Sequence, residues 1–208
     1  MKGLILDRLA IRLDGRPLVA LDAVIAPGEV LSVMGPSGVG KSTLLAALAG
    51  LLDPAFRLDG RILIDGQDVT ALPAETRRMG LMFQDPLLFP HLSVGGNLKF
   101  GMPRGVKDRT GTAARALAEA GLGGFAARDP ATLSGGQKAR VALLRVLLSE
   151  PRAMLLDEPF SGLDAALRQD IRAFVFARIR DRGLPCLLVT HDAADAQAAG
   201  GRVIELTG

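Results

Sequence analysis

Residues Gly35, Pro36, Ser37, Gly38, Val39, Gly40, Lys41, Ser42 and Thr43 fit the pattern G-x-x-x-x-G-K-[ST]. Each residue type in that pattern answers a need of phosphate binding. Glycines at Gly35, Gly38 and Gly40 let main-chain N–H groups turn inward around phosphate oxygens with no Cβ in the way. A helix starting at the end of such a loop adds unpaired N–H groups and the positive end of its dipole. Lys41 is placed to reach the β- and γ-phosphates of a nucleoside triphosphate, and the Ser42 hydroxyl to ligate Mg²⁺. Ser37 and Thr43 complete the candidate set. The competing reading is a glycine-rich turn that only caps a helix. The apolar run leading in, Val30–Met34, and the helix leading out speak against it.

A second candidate set closes another apolar run. Ala153, Met154, Leu155 and Leu156 lead into Asp157, Glu158 and Pro159. Two carboxylates at the C-terminal end of a strand lie where open α/β sheets place their ligands. Asp157 is suited to hold Mg²⁺, directly or through water, and Glu158 to orient and polarise an attacking water. Alone, the pair is as readily an ordinary acidic turn; the phosphate loop favours the catalytic reading.

The elements that must position these groups can be read from patterning. Leu4, Leu6, Leu9, Ile11 and Leu13 alternate with polar residues, Asp14-Gly15 signals a turn, and a second strand runs over 18–25. The expectation is a small antiparallel sheet. Pro27-Gly28 then turns the chain into a buried strand over 30–34, followed by a loop at 35–40 and a helix over 41–51. Strands are expected at 60–65 and 79–83. Signals over 85–150 are helical, clearest at 112–120 and 138–149. Beyond Pro151 come strand 152–156, helix 165–181, strand 186–190, helix 192–199 and strand 202–206. Alternating strands and helices argue for a largely parallel sheet covered on both faces. The reading is one α/β domain over 1–208, with 85–150 inserted between 1–84 and 151–208.

The chain has 208 residues, 49% hydrophobic and 23% charged, the profile of a soluble globular protein with a sizeable core. No apolar run approaches the roughly 18–20 residues that cross a bilayer. Asp7 and Arg8 interrupt the N-terminal apolar positions before a signal peptide could form. A cytoplasmic protein is expected, with any membrane spans supplied by another polypeptide. Cys186 is the single cysteine, so no internal disulfide is possible, and its apolar surroundings read as strand core. The net charge is +3. Arg168, Arg172, Arg178, Arg180 and Arg182 share a segment with Ile171, Phe174, Val175 and Ile179. That is an amphipathic helix with a solvated basic face rather than a nucleic-acid surface. With no Trp or Tyr, platforms for stacking bases are scarce.

Leu133, Ser134, Gly135, Gly136 and Gln137, followed by Lys138, Ala139 and Arg140, closely resemble the LSGGQ signature of ABC ATPases. Gln84, after Leu81, Met82 and Phe83, resembles the Q-loop glutamine. Ser161, Gly162, Leu163 and Asp164 resemble the D-loop. Thr190, His191 and Asp192 resemble the H-loop with its switch histidine. These elements follow in the family's order, and the resemblance spans about residues 4–206. It implies an α/β P-loop NTPase (RecA-like) core with an N-terminal antiparallel β subdomain and an inserted α-helical subdomain. It implies ATP and Mg²⁺ as ligands. Gln84 would contact the metal and take part in catalysis, His191 would meet the γ-phosphate, and Ser134, Gly135, Gly136, Gln137 and Asp164 would meet bound nucleotide. Alone, His191 would read as structural; His91 reads as structural or as partner surface. Ser134, Gly135 and Gly136 open a helix and so form a second anion site of the same physical kind as the phosphate loop. The resemblance implies a head-to-tail homodimer in which that end of one copy closes over the ATP on Lys41 of the other.

One departure stands out. The family usually places an aromatic residue near the N-terminus to stack on adenine, and here that stretch reads Ile11, Arg12, Leu13. Either the Arg12 guanidinium stacks or Leu13 packs on the ring, and preference for ATP over GTP stays open. The segment 84–94 resembles the part of bacterial small-solute importer ATPases, including a short branch of them, that receives a membrane subunit. Leu88, Phe89 and Leu92 would form an exposed docking patch, or else pack inside the helical subdomain. The resemblance thus implies an ATP-hydrolysing subunit, peripheral on the cytoplasmic face of the inner membrane. It would energise import through a separate integral membrane permease, served indirectly by a solute-binding protein and with no nucleic-acid partner. Alternatives are an exporter or lipid-extraction ATPase, or a soluble ABC ATPase acting on DNA or ribosomes. The last group usually carries coiled-coil insertions or two cassettes.

Overall fold

The computed structural model describes residues 2–206; Met1, where the N-terminal stretch above begins, and the last two positions of the 1–208 range lie outside them. The chain runs β1 (Leu4–Leu13), β2 (Arg16–Ile25), β3 (Val30–Met34), α1 (Lys41–Ala49), β4 (Phe56–Ile64) and β5 (Gln67–Asp68). It continues with α2 (Ala74–Arg77), β6 (Met79–Met82), α3 (Val94–Gly101), α4 (Arg109–Glu119), a 3₁₀ turn (Pro130–Thr132) and α5 (Gly135–Leu147). It ends with β7 (Ala153–Asp157), α6 (Ala165–Asp181), β8 (Cys186–Val189), α7 (Ala193–Ala199) and β9 (Val203–Glu205). These elements form two compact units. One holds the chain through Leu81, Arg152–Glu158 and everything from Phe176 on; the other holds Met82–Pro151 and Pro159–Val175.

The first unit contains an antiparallel sheet in the order β2-β1-β4-β5. Asp14 and Gly15 join β1 to β2 with φ of 50° and 77°, the pair of positive values a tight two-residue hairpin needs. β4 starts at Phe56, four residues ahead of the expected Gly60, and pairs with β1 from Leu13↔Phe56 to Leu4↔Ile64. Gly60 is no strand boundary: it lies opposite a register shift in β1, where a Cβ would fall 2.3 Å from the Arg8 carbonyl. A glycine inside a strand here marks close backbone approach at a bulge.

The second sheet has the order β6-β7-β8-β3-β9, with β3 parallel to β8 and β9 and β7 parallel to β8. Leu31, Val33, Leu155, Leu187 and Val189 are fully buried, as expected of strands covered on both faces. Leu44, Leu45 and Leu48 of α1 join the same core, each worth about 1.5–3 kcal/mol for leaving water. Cys186 is buried in β8, and desolvation pushes its thiol far above the ordinary range.

In the second unit α3, α4 and α5 enclose Val94, Leu98, Leu117, Leu133, Val141 and Leu144. The helix α3 lies within the segment read as helical but outside its clearest stretches, because Gly95 and Gly96 depress helix propensity. Ser93 starts it by accepting from the Gly96 N–H at 3.1 Å. Residues 159–175 group with this unit, and Phe174 packs on its core. Of the two alternatives for Leu88, Phe89 and Leu92, Leu88 follows the second by packing against the helical core, and all three are half-buried. The exposed apolar residues of this region are Phe83 at 41%, Leu87 at 50% and Phe100 at 66%. Phe100 packs on Phe89 with centroids 4.6 Å apart. Arg145 lies over the other ring, 5.2 Å from its centroid, and donates to the Leu87 carbonyl at 2.8 Å.

The end of α1 is fastened by a buried cation. Arg77, 5% exposed, donates to the carbonyls of Ala47 at 2.7 Å and Leu48 at 2.9 Å. It also donates to Leu72 at 2.8 Å and Thr70 at 2.7 Å. Carbonyls of a last helical turn have no intrahelical partner, and a guanidinium there also complements the helix dipole. Arg77→Ala strips the buried Leu48 carbonyl of this donor and leaves Ala47 with only the Gly50 N–H at 3.3 Å. It is expected to lower the unfolding free energy by about 3 kcal/mol, read by urea titration with far-UV circular dichroism. A loss below about 0.5 kcal/mol would mean that other donors replace the guanidinium.

Candidate functional site

The phosphate loop runs from the end of β3 to the start of α1. Gly40 has φ of 98°, and a Cβ there would lie 2.6 Å from the Val19 side chain. A Cβ on Gly35, with φ of 155°, would lie 2.8 Å from the Leu206 carbonyl. Both positions need glycine for conformation and for space. No side chain caps α1 at Gly40, so the first-turn N–H groups face the loop unclaimed by a cap. Lys41 folds back into the loop. It is 6% exposed and its Nζ donates to the carbonyls of Gly35 and Pro36 at 2.8 Å each.

Asp157 ends β7 and Glu158 follows it. The Ser42 hydroxyl lies close enough to the Asp157 carboxylate to act on its protonation. Burial holds the Asp157 carboxyl above its ordinary value and the Glu158 charge adds to this, while the Ser42 hydroxyl and the Lys41 ammonium act in the opposite sense. Glu158 has φ of 44°, uncommon for a residue with a side chain, and its N–H donates to the Val189 carbonyl at 2.9 Å. That strained backbone turns the carboxylate toward His191, whose Nδ1 lies 3.0 Å from Glu158 Oε2. His191 is itself set by its neighbours. The Thr190 hydroxyl donates to Asp195 at 2.8 Å and accepts from the Asp192 N–H at 3.0 Å, and Asp192 caps α7 by accepting from the Ala194 N–H at 2.8 Å.

The first unit therefore gathers Lys41, Ser42, Asp157, Glu158 and His191. Ser37, Gly38, Gly40, Lys41, Ser42, Thr43 and Glu158 line one cleft of about 400 Å³ together with Leu13, Leu18 and Phe56. Of the two candidates for packing on a base, Leu13 lines this cleft. Arg12 is engaged elsewhere, donating to Asp59 at 3.1 Å and to the Gly15 carbonyl at 3.5 Å. Phe56 was missed because only the pairing of β4 with β1 brings it there.

The second unit carries the remaining candidates on its own elements. Gln84 follows β6 and is exposed. Ser134 caps α5 in a reciprocal box: its hydroxyl accepts from the Gln137 N–H at 3.4 Å, and the Gln137 side chain accepts from the Ser134 N–H at 3.0 Å. Ser134 and Gly135 are exposed, whereas Gly136 is buried and a Cβ there would fall 2.5 Å from Leu167. Asp164 caps α6, accepting from the Leu167 N–H at 2.9 Å. Among the described residues no three His, Cys, Asp or Glu side chains form a metal-holding group.

The sequence profile of the family described as "ABC transporter" matches residues 18–161. The chain is 45% identical over 187 residues to the uncharacterized ABC transporter ATP-binding protein YnjD of Escherichia coli (strain K12), covering 89% of this chain and 86% of that one. It is 44% identical over 202 residues to the thiamine import ATP-binding protein ThiQ of Cereibacter sphaeroides, covering 96% and 86%. It is 46% identical over 194 residues to the spermidine/putrescine import ATP-binding protein PotA of Frankia alni, covering 90% of this chain but 40% of that longer one. The solved structure of cbiO1 from Clostridium perfringens, part of the ABC transporter complex cbiONQ, superposes with a TM-score of 0.85 at 29% identity, over 99% of this chain and 85% of that one. The phosphate loop, the acidic pair and these relatives agree, and the chain belongs to the ABC transporter family as an ATP-binding subunit that hydrolyses ATP.

Proposed function

We propose that the chain is the ATPase engine of a small-solute importer. It acts as a head-to-tail homodimer at the cytoplasmic face of the membrane, on integral permease subunits that receive the segment after Gln84. A solute-binding protein would act only through the permease. The observation that carries the reading is the cleft itself, where a buried Lys41 ammonium and the Glu158 carboxylate line the same space. The import role rests on relatives named as import ATP-binding proteins for thiamine and for spermidine/putrescine. We take residues 1–208 as one ATPase domain, with the signature in the helical insertion at 85–150.

The loop N–H groups and Lys41 bind the β- and γ-phosphates, and Lys41 exchanges its two main-chain oxygens for phosphate oxygens. Mg²⁺ fits the donors present: the Ser42 hydroxyl and Asp157 carboxylate are adjacent oxygen ligands of the kind Mg²⁺ takes beside substrate phosphates. Gln84 is a third candidate ligand. Bound there, Mg²⁺ neutralises charge on the phosphate oxygens. Glu158 accepts a hydrogen bond from the attacking water and polarises it. His191 Nδ1 holds the Glu158 carboxylate in orientation, which leaves Nε2 to meet a γ-phosphate oxygen. Ser134 and Gly135 close over the phosphates from the partner copy, and Asp164 lies on the same approach. ATP binding closes the dimer, hydrolysis reopens it, and Gln84 links the two states to the permease.

Glu158→Gln is expected to lower the steady-state ATPase rate by about 10²–10⁴-fold while nucleotide binding persists; a rate equal to wild type would remove Glu158 from catalysis. Ser134→Arg, added to Glu158→Gln, is expected to abolish the ATP-dependent dimer in size-exclusion chromatography with light scattering. A dimer that survives would refute the cross-subunit site. Asp157 supplies a pH test. Its folded carboxyl binds a proton more tightly than the unfolded one. Protonation therefore stabilises the fold below the ordinary value of 3.8, and that contribution is lost as pH rises through the raised value. Asp157→Asn is expected to raise the Tm of the metal-free protein near pH 7 and to leave it unchanged near pH 3. An equal Tm at both would mean that ionised Asp157 costs the fold nothing.

A further inference from the structure

We infer that Phe56 is the surface on which the nucleobase stacks, in place of an aromatic residue on the β1–β2 hairpin. The inference rests on the reading of this cleft as the nucleotide site. Beside the phosphate-loop residues, the cleft is lined by Leu13, Leu18 and Phe56, all apolar. Their position is fixed by the antiparallel sheet. Phe56 opens β4 and is paired across the register with Leu13, the last residue of β1. Leu18 of β2 borders the loop, since a Cβ on Gly40 would lie 3.0 Å from its side chain. The apolar trio thus adjoins the end of the loop where α1 begins.

Phe56 is built for this task. It is half-buried and packed on the core of the first unit, and its N–H donates to the Asp53 carbonyl at 3.0 Å. A ring already held in place loses little entropy when a base stacks on it, and every base offers a π face. Arg12, the other group able to stack, is occupied by Asp59 and Gly15. The trio carries no side-chain donor or acceptor for base edges. Affinity should therefore come from stacking, with little discrimination between ATP and GTP.

The test is isothermal titration calorimetry on the full chain with Mg²⁺ and three ligands: ATP, GTP and inorganic tripolyphosphate. Phe56→Ala is expected to weaken ATP and GTP about tenfold each and to leave tripolyphosphate within about twofold, while Phe56→Trp keeps ATP within about threefold of wild type. Phe56→Leu keeps most of the packing volume without the ring, and it should show the same selective loss if the alanine variant does not fold. ATP affinity unchanged in Phe56→Ala or Phe56→Leu would overturn the inference, as would parallel loss of ATP and tripolyphosphate. Wild type that binds tripolyphosphate as tightly as ATP would overturn it and leave the phosphate site standing. Wild type that binds neither would sink both readings.

Discussion

The Lys41 ammonium, buried on the carbonyls of Gly35 and Pro36, sits at the end of α1 where the helix dipole is already positive and no side chain caps the first turn. A cation there is unfavourable for the helix alone, and an anion is what would relieve it. The surroundings hold this arrangement from outside. Val19 and Leu18 of β2 close on Gly40, Leu206 closes on Gly35, and Arg77 secures the far end of α1 through two of its last carbonyls. The helix is thus fastened at its C-terminal end and left electrostatically unsatisfied at its N-terminal end.

The acidic side follows the same logic with the opposite sign. At Asp157, Ser42 and Lys41 only partly offset the burial that holds its carboxyl above the ordinary value, while Glu158 takes a left-handed backbone that ties it to Val189 and turns its carboxylate to His191. Parallel strands β7 and β8 end side by side, with Asp157 opposite Val189. The acidic pair and the histidine therefore arrive at one rim of the sheet by strand pairing alone.

Local chemistry was legible where one short segment contains it. The phosphate loop, the acidic pair and the strand Val30–Met34 are written in consecutive residues, and their bounds follow from glycine, charge and apolar runs. What escaped depends on partners distant in sequence. Gly60 looks like a strand start until Arg8 is known to lie against it. Gly95 and Gly96 leave the bounds of a helix there undefined until Ser93 caps it and Val94 and Leu98 find the helical core. Phe56 has no motif of its own and gains its place in the cleft from the register with Leu13. Leu88 and Phe89 could be surface or helical core from sequence alone; Leu88 packs on the helical core, and Phe89 contacts Phe100 and Arg145.

The single cysteine bears on how the working cycle can be watched. Cys186 is fully buried in β8 and its thiol is held protonated far beyond neutral pH, so it is inert toward maleimides and spin labels while the sheet stands. A cysteine introduced at exposed Ala127 or Ala198 would then be the sole reactive thiol. Site-specific labels can report distances across nucleotide-driven motion on an otherwise native chain, with no background thiol to remove first.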